Sequence, residues 1–241
     1  MGRVKNALFV MIAVTLSTGC TDTAPVADPF EQSGKLIALS GGDAGAANAC
    51  IVCHGIEGEG DGKLTPRLAG LDPGYFVRQL ELYEVGQRRH PEMEAIAARL
   101  SWDARNAVAS YYAKMEAPPG PAASGQACTP AARQLVFAGD PSRNLPACTA
   151  CHGRDLAGAG AGGPPLAWQT AAYNESQLRA WRSGERYGDP QGAMGEVSRL
   201  LHERELQAVA ACVAHPPDAR DRREPRAASL PEHRPDPRSG A

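Results

Sequence analysis

Two short segments of this 241-residue chain carry residue types that can hold a prosthetic group: CIVCHG at 50–55 and CTACHG at 148–153. In each segment, two cysteines three positions apart are followed directly by a histidine. Two thiols on one helical turn can each add to one vinyl group of haem, and the next histidine can then bind the iron. The pattern predicts two covalently attached haem c groups. Their predicted ligands are Cys50, Cys53 and His54 for the first group and Cys148, Cys151 and His152 for the second.

The same four cysteines allow a second interpretation, one structural zinc ion bound by two CxxC pairs. This arrangement would leave both histidines without a role. It would also require two separate segments of the chain to share one metal. The sequence therefore favours haem and keeps zinc as the alternative.

Both motifs belong to a longer internal repeat. The offset between the copies is 98 residues at the motifs, and it rises to 101 after a three-residue insertion in the second copy. Similarity over such a length indicates two copies of one structural unit. The aligned pairs include Pro66 with Pro164, Leu68 with Leu166, Tyr75 with Tyr173, Gln79 with Gln177, Arg88 with Arg186, and Met93 with Met194.

The second axial ligand decides what a haem iron can do. Methionine fills the position and suits electron transfer, whereas an open position allows peroxide or oxygen chemistry. Met93 and Met194 are predicted as iron ligands because they stay aligned although the loop before them changes length. Met115 and His90 remain competitors in the first repeat, and a lone methionine is often only a core residue.

Residues that support the ligands can also be proposed. Ligand histidines usually donate their other ring N–H to a carboxylate, a backbone carbonyl or water, and the carbonyls of Pro66 and Pro164 are the candidates here. Arg88 and Arg186 are candidates for pairing with haem propionates, although exposed arginines are also common.

The surrounding elements read as short helices with glycine-rich loops, which predicts an all-α fold. Asp72 followed by Pro73 is typical of a helix start, and Ser101 is a candidate cap for a later helix with apolar residues on one face. The segment APPGPAASGQ at 117–126 has the composition of a linker. The predicted organisation is a first domain at 28–116, the Pro/Gly/Ala linker at 117–126, and a second domain at 127–215.

The two ends of the chain differ from the repeats. Residues 1–20 have a basic start, a short apolar run and small residues before Cys20, which predicts a signal peptide of the lipoprotein type. An ordinary signal peptide cut nearby is the alternative. Residues 216–241 are rich in Arg and Pro and are predicted to be disordered. Acidic residues outnumber basic ones between these ends, which argues against nucleic-acid binding.

The repeated features resemble one known family, the dihaem cytochromes c of the cytochrome c4 type. The resemblance covers about residues 30 to 215 and rests on CxxCHG, the PRLAG and PPLA elements, Tyr-x-x-x-Gln-Leu, Gly-x-Arg and the later Met, each present twice. It implies two class I cytochrome c folds in tandem, His and Met on both irons, and transfer of single electrons in the periplasm. The chain departs from the family pattern at three points. It has GLDPGY where the family usually has Gln after the Gly, and it has a predicted lipid anchor and an Arg/Pro tail.

The resemblance also assigns the two remaining cysteines of the repeats. The first and last helices of a class I cytochrome c domain cross and pack, and Cys128 and Cys212 fall on these two helices in the second copy. Aligned residues in the first copy are Phe30 and Tyr111. The resemblance thus implies a disulfide in the second domain, with two separate buried thiols as the alternative.

We expect the chain to act as a periplasmic electron carrier, held at a membrane if Cys20 is lipidated, between a redox protein donor and a redox protein acceptor. Two other classes remain open. A dihaem enzyme related to peroxidases would need one open iron position, and a fixed electron-entry subunit of an oxidase or dehydrogenase complex would use the same fold.

Overall fold

A computed structural model describes residues 29–116, 128–189 and 191–214, with side chains from residue 33 onward. The predicted signal peptide at 1–20 with Cys20, the linker at 117–126 and the tail at 216–241 lie outside the described residues. All regular elements in the described part are helical, and the only strand-like pairing there is two isolated bridges. The predicted all-α fold is confirmed, while the exact domain bounds stay predictions.

The first repeat forms five α-helices within its described residues. They are α1 Pro29–Ser40, α2 Cys50–His54, α3 Pro73–Glu84, α4 Pro91–Ala97 and α5 Trp102–Ala113. Two helix starts follow the predicted chemistry: Asp72 accepts a hydrogen bond from the Tyr75 N–H, and Ser101 accepts one from the Ala104 N–H. Each cap satisfies a backbone donor that a helix start leaves free.

The second repeat has the same order of elements. Its described helices are α6 Pro130–Phe137, α7 Thr149–His152, α8 Ala171–Ser183, α9 Ala193–Leu200 and α10 Glu203–Val213. Thr129 caps α6 and Thr170 caps α8 with their side-chain oxygens. The repeat in sequence is therefore a repeat in structure.

In both repeats the first and last helices pack against each other. Gly34 makes the contact between α1 and α5 possible, because a Cβ at this position would lie 2.0 Å from the Ala107 carbonyl oxygen. In the second repeat α6 packs on α10, and a disulfide joins Cys128 to Cys212 across 84 residues. The predicted disulfide is confirmed, and the alternative of two separate thiols is wrong.

Equivalent space in the two cores is filled by different residues. Gly58 has φ +67, and a Cβ there would lie 2.8 Å from the Tyr112 ring. Its counterpart, Leu156, keeps the left-handed backbone at φ 60 and is fully buried. The residue aligned with Tyr112 is the smaller Val213, so Leu156 supplies the volume that Tyr112 supplies in the first repeat.

Backbone hydrogen bonds join the two repeats directly. Arg88 and Arg186 pair as an antiparallel bridge. On either side of this bridge the Arg89 N–H donates to the Glu185 carbonyl and the Tyr187 N–H donates to the Gln87 carbonyl, each at 2.8 Å. The two haem-binding units therefore share a defined interface.

Among the residues that the structure describes, no single helix is long and apolar enough to cross a membrane. Two neighbouring helical segments there, Ser33–Ala44 and Ala46–His54, have the length and composition of a membrane span only when taken together, and they are bent by 119° relative to each other.

Candidate haem-binding sites

The two motif histidines are buried and held in the same way. The Nδ1–H of His54 donates to the Pro66 carbonyl at 2.8 Å, and that of His152 donates to the Pro164 carbonyl at 2.7 Å. The predicted Pro66 and Pro164 contacts are confirmed. Because a carbonyl can only accept, Nδ1 carries the proton and Nε2 keeps a free lone pair, which is the state that a metal ligand needs.

The two motif cysteines of each repeat differ in exposure. Cys50 and Cys148 are only partly exposed, and burial raises the pKa of each of these thiols to about 11. Cys53 and Cys151 are exposed. Each pair thus has one partly buried and one exposed sulfur to which the vinyl groups of a haem could be joined.

The loop after each motif closes by the same backbone bonds. The Gly60 N–H donates to the His54 carbonyl at 2.8 Å, and the Gly158 N–H donates to the His152 carbonyl at 2.9 Å. These bonds return the chain towards the histidine, where the proline carbonyls are needed. The second repeat keeps this geometry although its loop sequence differs.

Met93 is the third residue of α4 and Met194 the second residue of α9, so both predicted ligands stand near the start of corresponding helices. Both are half-buried, and Met93 packs against the first core. Met115 also packs there, from the end of α5. His90 is exposed, with Nδ1 3.2 Å from Glu92. Ligation by Met93 and Met194 stays a prediction.

The four motif cysteines do not come together. In the described part of the chain, which includes both motifs, no group of three or more His, Cys, Asp or Glu side chains is placed to hold a metal ion. The alternative of one shared four-cysteine zinc site is therefore wrong.

Arg88 lies inside the interface between the repeats, only 5% exposed. Its Nη1 donates to Gln79 at 3.0 Å within its own repeat. Its Nη2 donates to Tyr173 at 2.7 Å and to Gln177 at 2.9 Å in the other repeat. Burial alone would lower the pKa of Arg88, but contacts with tyrosines, the largest of them with Tyr173, raise it, so the side chain is charged.

Arg186 makes the matching set of bonds in the opposite direction. Its Nη1 donates to Gln177 at 2.8 Å, and its Nη2 donates to Tyr75 at 3.0 Å and to Gln79 at 2.9 Å. It is 6% exposed, and its Nε has no partner within the described residues. The interface therefore has near-twofold symmetry around two buried arginines.

The buried positive charges of these two arginines bear on whether the protein can hold haem. All their hydrogen-bond acceptors in the described residues are neutral, and burying a charge without an opposite charge costs several kcal/mol. Burial lowers the pKa of His54 and the nearby charge of Arg88 lowers it further, while burial and Arg186 do the same for His152. Both cations thus lie within electrostatic reach of the predicted ligand histidines, where the propionates of a haem would supply the missing negative charge.

A further contact between the repeats, which the sequence did not predict, joins Gln169 to Arg67. Gln169 binds the backbone of Arg67 with both ends of its amide, each at 2.9 Å. The guanidinium of Arg67 lies 5.5 Å from the centre of the Trp168 ring. Trp168 adopts φ 66 where the first repeat has Gly70 at φ 72. The signal in the sequence was that Trp168 and Gln169 replace Gly70 and Leu71 of the first copy.

Comparison with known proteins places these sites in a family. No protein-family model matches the chain. It is 33% identical over 171 residues to cytochrome c4 of Thiocapsa roseopersicina, which covers 70% of this chain and 87% of that protein. The chain belongs to the dihaem cytochromes c of the cytochrome c4 type. Reduced cytochrome c4 from Pseudomonas stutzeri superposes with a TM-score of 0.66 at 26% identity, over 79% of this chain and all of that one.

This cytochrome is also similar to proteins named for a particular electron donor. It is 43% identical over 179 residues to the thiosulfate dehydrogenase electron acceptor of Stutzerimonas stutzeri, covering 73% of this chain and 83% of that protein. It superposes on the thiosulfate dehydrogenase TsdBA of Marichromatium purpuratum with a TM-score of 0.70 at 42% identity, over 78% of this chain. It spans 40% of the length of that longer chain.

Membership of this family confirms the central predictions. The cytochrome has two tandem class I domains, binds two haem c groups covalently and transfers electrons. Bound haem supplies an iron that cycles between Fe(III) and Fe(II). The family does not favour the peroxidase-like alternative.

Proposed function

We propose that this cytochrome accepts electrons from a thiosulfate dehydrogenase in the periplasm and passes them singly to a further redox protein. One observation supports the choice of donor. Identity to the thiosulfate dehydrogenase electron acceptor is 43%, against 33% to cytochrome c4 of T. roseopersicina. Each electron that leaves the enzyme converts one Fe(III) of this chain to Fe(II), and no bond is made or broken here.

We further propose the axial ligand pairs His54 with Met93 and His152 with Met194. The Pro66 and Pro164 carbonyls fix both imidazoles, so their orientation is set before and after each electron arrives. A thioether ligand favours the reduced iron and leaves no position open for substrate. This ligand set suits a carrier better than an enzyme.

The proposed location follows from the N-terminal sequence and the chemistry of the chain. Export by the segment at 1–20 places the mature protein where the Cys128–Cys212 disulfide can persist. Lipid on Cys20 would hold the carrier at a membrane surface. Labelling with radioactive palmitate in cells tests this anchor, with a Cys20→Ser chain as the control.

The test of the donor is reduction of the oxidised holoprotein by a purified thiosulfate dehydrogenase with thiosulfate. We expect reduction of both haems in stopped-flow absorbance and no reduction by thiosulfate alone. Failure of the complete mixture to reduce either haem, while dithionite reduces both, would overturn this donor.

A fixed subunit remains the second candidate, because TsdBA of M. purpuratum is a longer chain of which the present one matches 40%. Size-exclusion chromatography of a mild detergent extract distinguishes the two arrangements. A shuttle elutes at its own mass, and a subunit elutes with the enzyme.

A further inference from the structure

The two repeats present different surfaces beside their outer thiols. Val52, Ile56 and Leu64 of the first repeat are 62%, 66% and 61% exposed. The second repeat has Ala150, Arg154 and Gly162 at the aligned positions. Large exposed apolar residues that recur in one short segment mark contact surfaces more often than isolated ones do.

These apolar residues belong to the segment that surrounds the first attachment site. Val52 precedes the exposed Cys53 directly, and Ile56 follows the motif. Leu64 lies in the loop after the motif. Two hydrogen bonds hold this loop against the motif, one from the Gly60 N–H to the His54 carbonyl and one from the Asp61 N–H to the Thr65 carbonyl. The three side chains are thus exposed on the segment that carries Cys53, to which a haem would be joined.

Charge separates the same two segments. The first carries exposed Glu57, Glu59 and Asp61, with Lys63 as its one basic residue. Positions 157, 159 and 161 in the second repeat, aligned with 59, 61 and 63, are all alanine, and Asp155 is aligned with Glu57. The first segment therefore combines exposed apolar side chains with a net negative charge, and the second has neither property.

We propose that this surface of the first repeat, formed by Val52, Ile56 and Leu64 with Glu57, Glu59 and Asp61, is where the electron donor docks. We call it the first-haem face. Its charge selects a donor whose own electron-exit edge has an apolar centre ringed by Lys and Arg. Opposite charges steer such partners together. A small apolar contact excludes water and still lets the two proteins dissociate quickly after the electron is transferred.

The electron path follows from this assignment. The donor centre would lose one electron, and the haem held by Cys50, Cys53 and His54 would gain it. Passing that electron to the haem held by Cys148, Cys151 and His152 would make the first site ready for another encounter. This inference rests on the proposed donor, a thiosulfate dehydrogenase, and adds which of the two haems the donor meets.

The test compares aligned charges in the two repeats. Holoproteins carrying Glu57→Gln with Glu59→Gln are reduced by thiosulfate dehydrogenase and thiosulfate in stopped-flow experiments. The control is Asp155→Asn, which removes the single acidic charge that the second repeat has at the aligned positions. We expect the second-order rate constant at low salt to fall about threefold for the first pair and to stay unchanged for the control. The difference should shrink as salt is added.

A second pair tests the apolar centre. Ile56→Arg places at the first-haem face the residue type that the second repeat already has, and we expect about a tenfold lower rate constant. Trp102→Arg, at an equally exposed apolar residue of the same domain, should leave the rate unchanged. Dithionite titration and the haem spectrum check that each variant is folded and fully loaded.

The outcomes separate the two proposals. No reduction of the unaltered protein overturns the thiosulfate dehydrogenase donor and this docking surface with it. Normal reduction with equal rates for all variants, or a larger effect of Asp155→Asn, overturns the first-haem face alone. It is also overturned if Ile56→Arg abolishes a dimer seen by sedimentation, or if removal of 216–241 makes the surface newly accessible, because a second copy or the tail would then be its occupant.

Discussion

Gln169 in the second repeat holds the backbone of Arg67 in the first, accepting from the Arg67 N–H and donating to the Arg67 carbonyl at 2.9 Å each. Arg67 follows Pro66, whose carbonyl accepts a hydrogen bond from His54, the predicted ligand. One domain thus braces the peptide that orients the predicted axial ligand of the other. The relationship runs in one direction only, because Leu71 occupies the aligned position in the first repeat and packs into its own core.

Replacing Gln169 by Leu, the residue of the first repeat, should loosen the interface. The change leaves the buried N–H and carbonyl of Arg67 unsatisfied, at a cost of roughly 1–3 kcal/mol. We expect faster amide hydrogen exchange at residues 66–69 and unchanged exchange around Pro164. Leu71→Gln serves as the reciprocal control, and equal protection in all three proteins would contradict the bracing role.

Arg88 and Arg186 should set the reduction potentials of their own haems. Removing a buried positive charge favours Fe(III), so Arg88→Gln should lower the potential of the first haem and Arg186→Gln that of the second. At a separation of several ångströms the effect is about 1–2 kcal/mol, or roughly 50–100 mV for one electron.

Optical redox titration measures both potentials. Arg88→Lys, which keeps the charge, should give a smaller decrease, and the exposed Arg99→Gln should give almost none. A potential unchanged in Arg88→Gln would mean that no propionate or iron lies near this side chain.

Met93 and Met115 can be told apart by spectroscopy. If Met93 is the ligand, Met93→Ala removes one of two near-infrared methionine-to-iron bands of the oxidised protein and lowers the first potential. Met115→Leu keeps both bands. Loss of a band in Met115→Leu instead would reassign the ligand.

The packing difference between the cores predicts a compensating pair of substitutions. Gly58→Leu alone should destabilise the first domain by about 1–3 kcal/mol, because its side chain meets Tyr112. Adding Tyr112→Val reproduces the Leu156 and Val213 arrangement and should recover part of this loss. Denaturant unfolding gives the coupling free energy, and simple additivity of the two changes would contradict the shared space.

Acid should weaken the second domain through Glu205. Burial alone would raise the pKa of Glu205, but the hydrogen bonds from Arg143 and from the His202 N–H lower it below its usual 4.5. A group with a lowered folded-state pKa stabilises the protein above its unfolded pKa and loses that contribution as pH falls through the folded value.

We therefore expect Glu205→Gln to cost about 1 kcal/mol of unfolding free energy at pH 7 and much less at pH 3. Paired denaturant titrations at both pH values measure this change. Glu196→Gln, at an exposed residue of α9, is the control, and a Glu205→Gln penalty that stays constant with pH would rule out the linkage.

Local chemistry made a large part of the structure predictable. The proximity of each proline carbonyl to its histidine, the caps at Asp72 and Ser101 and the helical class all depend on short segments. The Cys128–Cys212 pairing came from resemblance, because only a known crossing of first and last helices brings those positions together.

Contacts between the domains could not be predicted in the same way. Arg88 was placed near propionates, but its bonds to Tyr173 and Gln177 depend on how two separately folded units dock. The left-handed backbone conformation of Trp168 could not be predicted either, since a bulky residue rarely adopts it unless surrounding contacts stabilise it.

The contacts around the Arg88–Arg186 bridge are nearly symmetric between the two repeats. Each arginine donates to the tyrosine and the glutamine of the other repeat, and the flanking backbone bonds from Arg89 and Tyr187 mirror each other. In assemblies of separate chains such self-complementary contact is the isologous interface of a twofold dimer. Within one polypeptide, Tyr75, Gln79 and Arg88 and their aligned counterparts Tyr173, Gln177 and Arg186 thus form the kind of contact by which two identical subunits would pair.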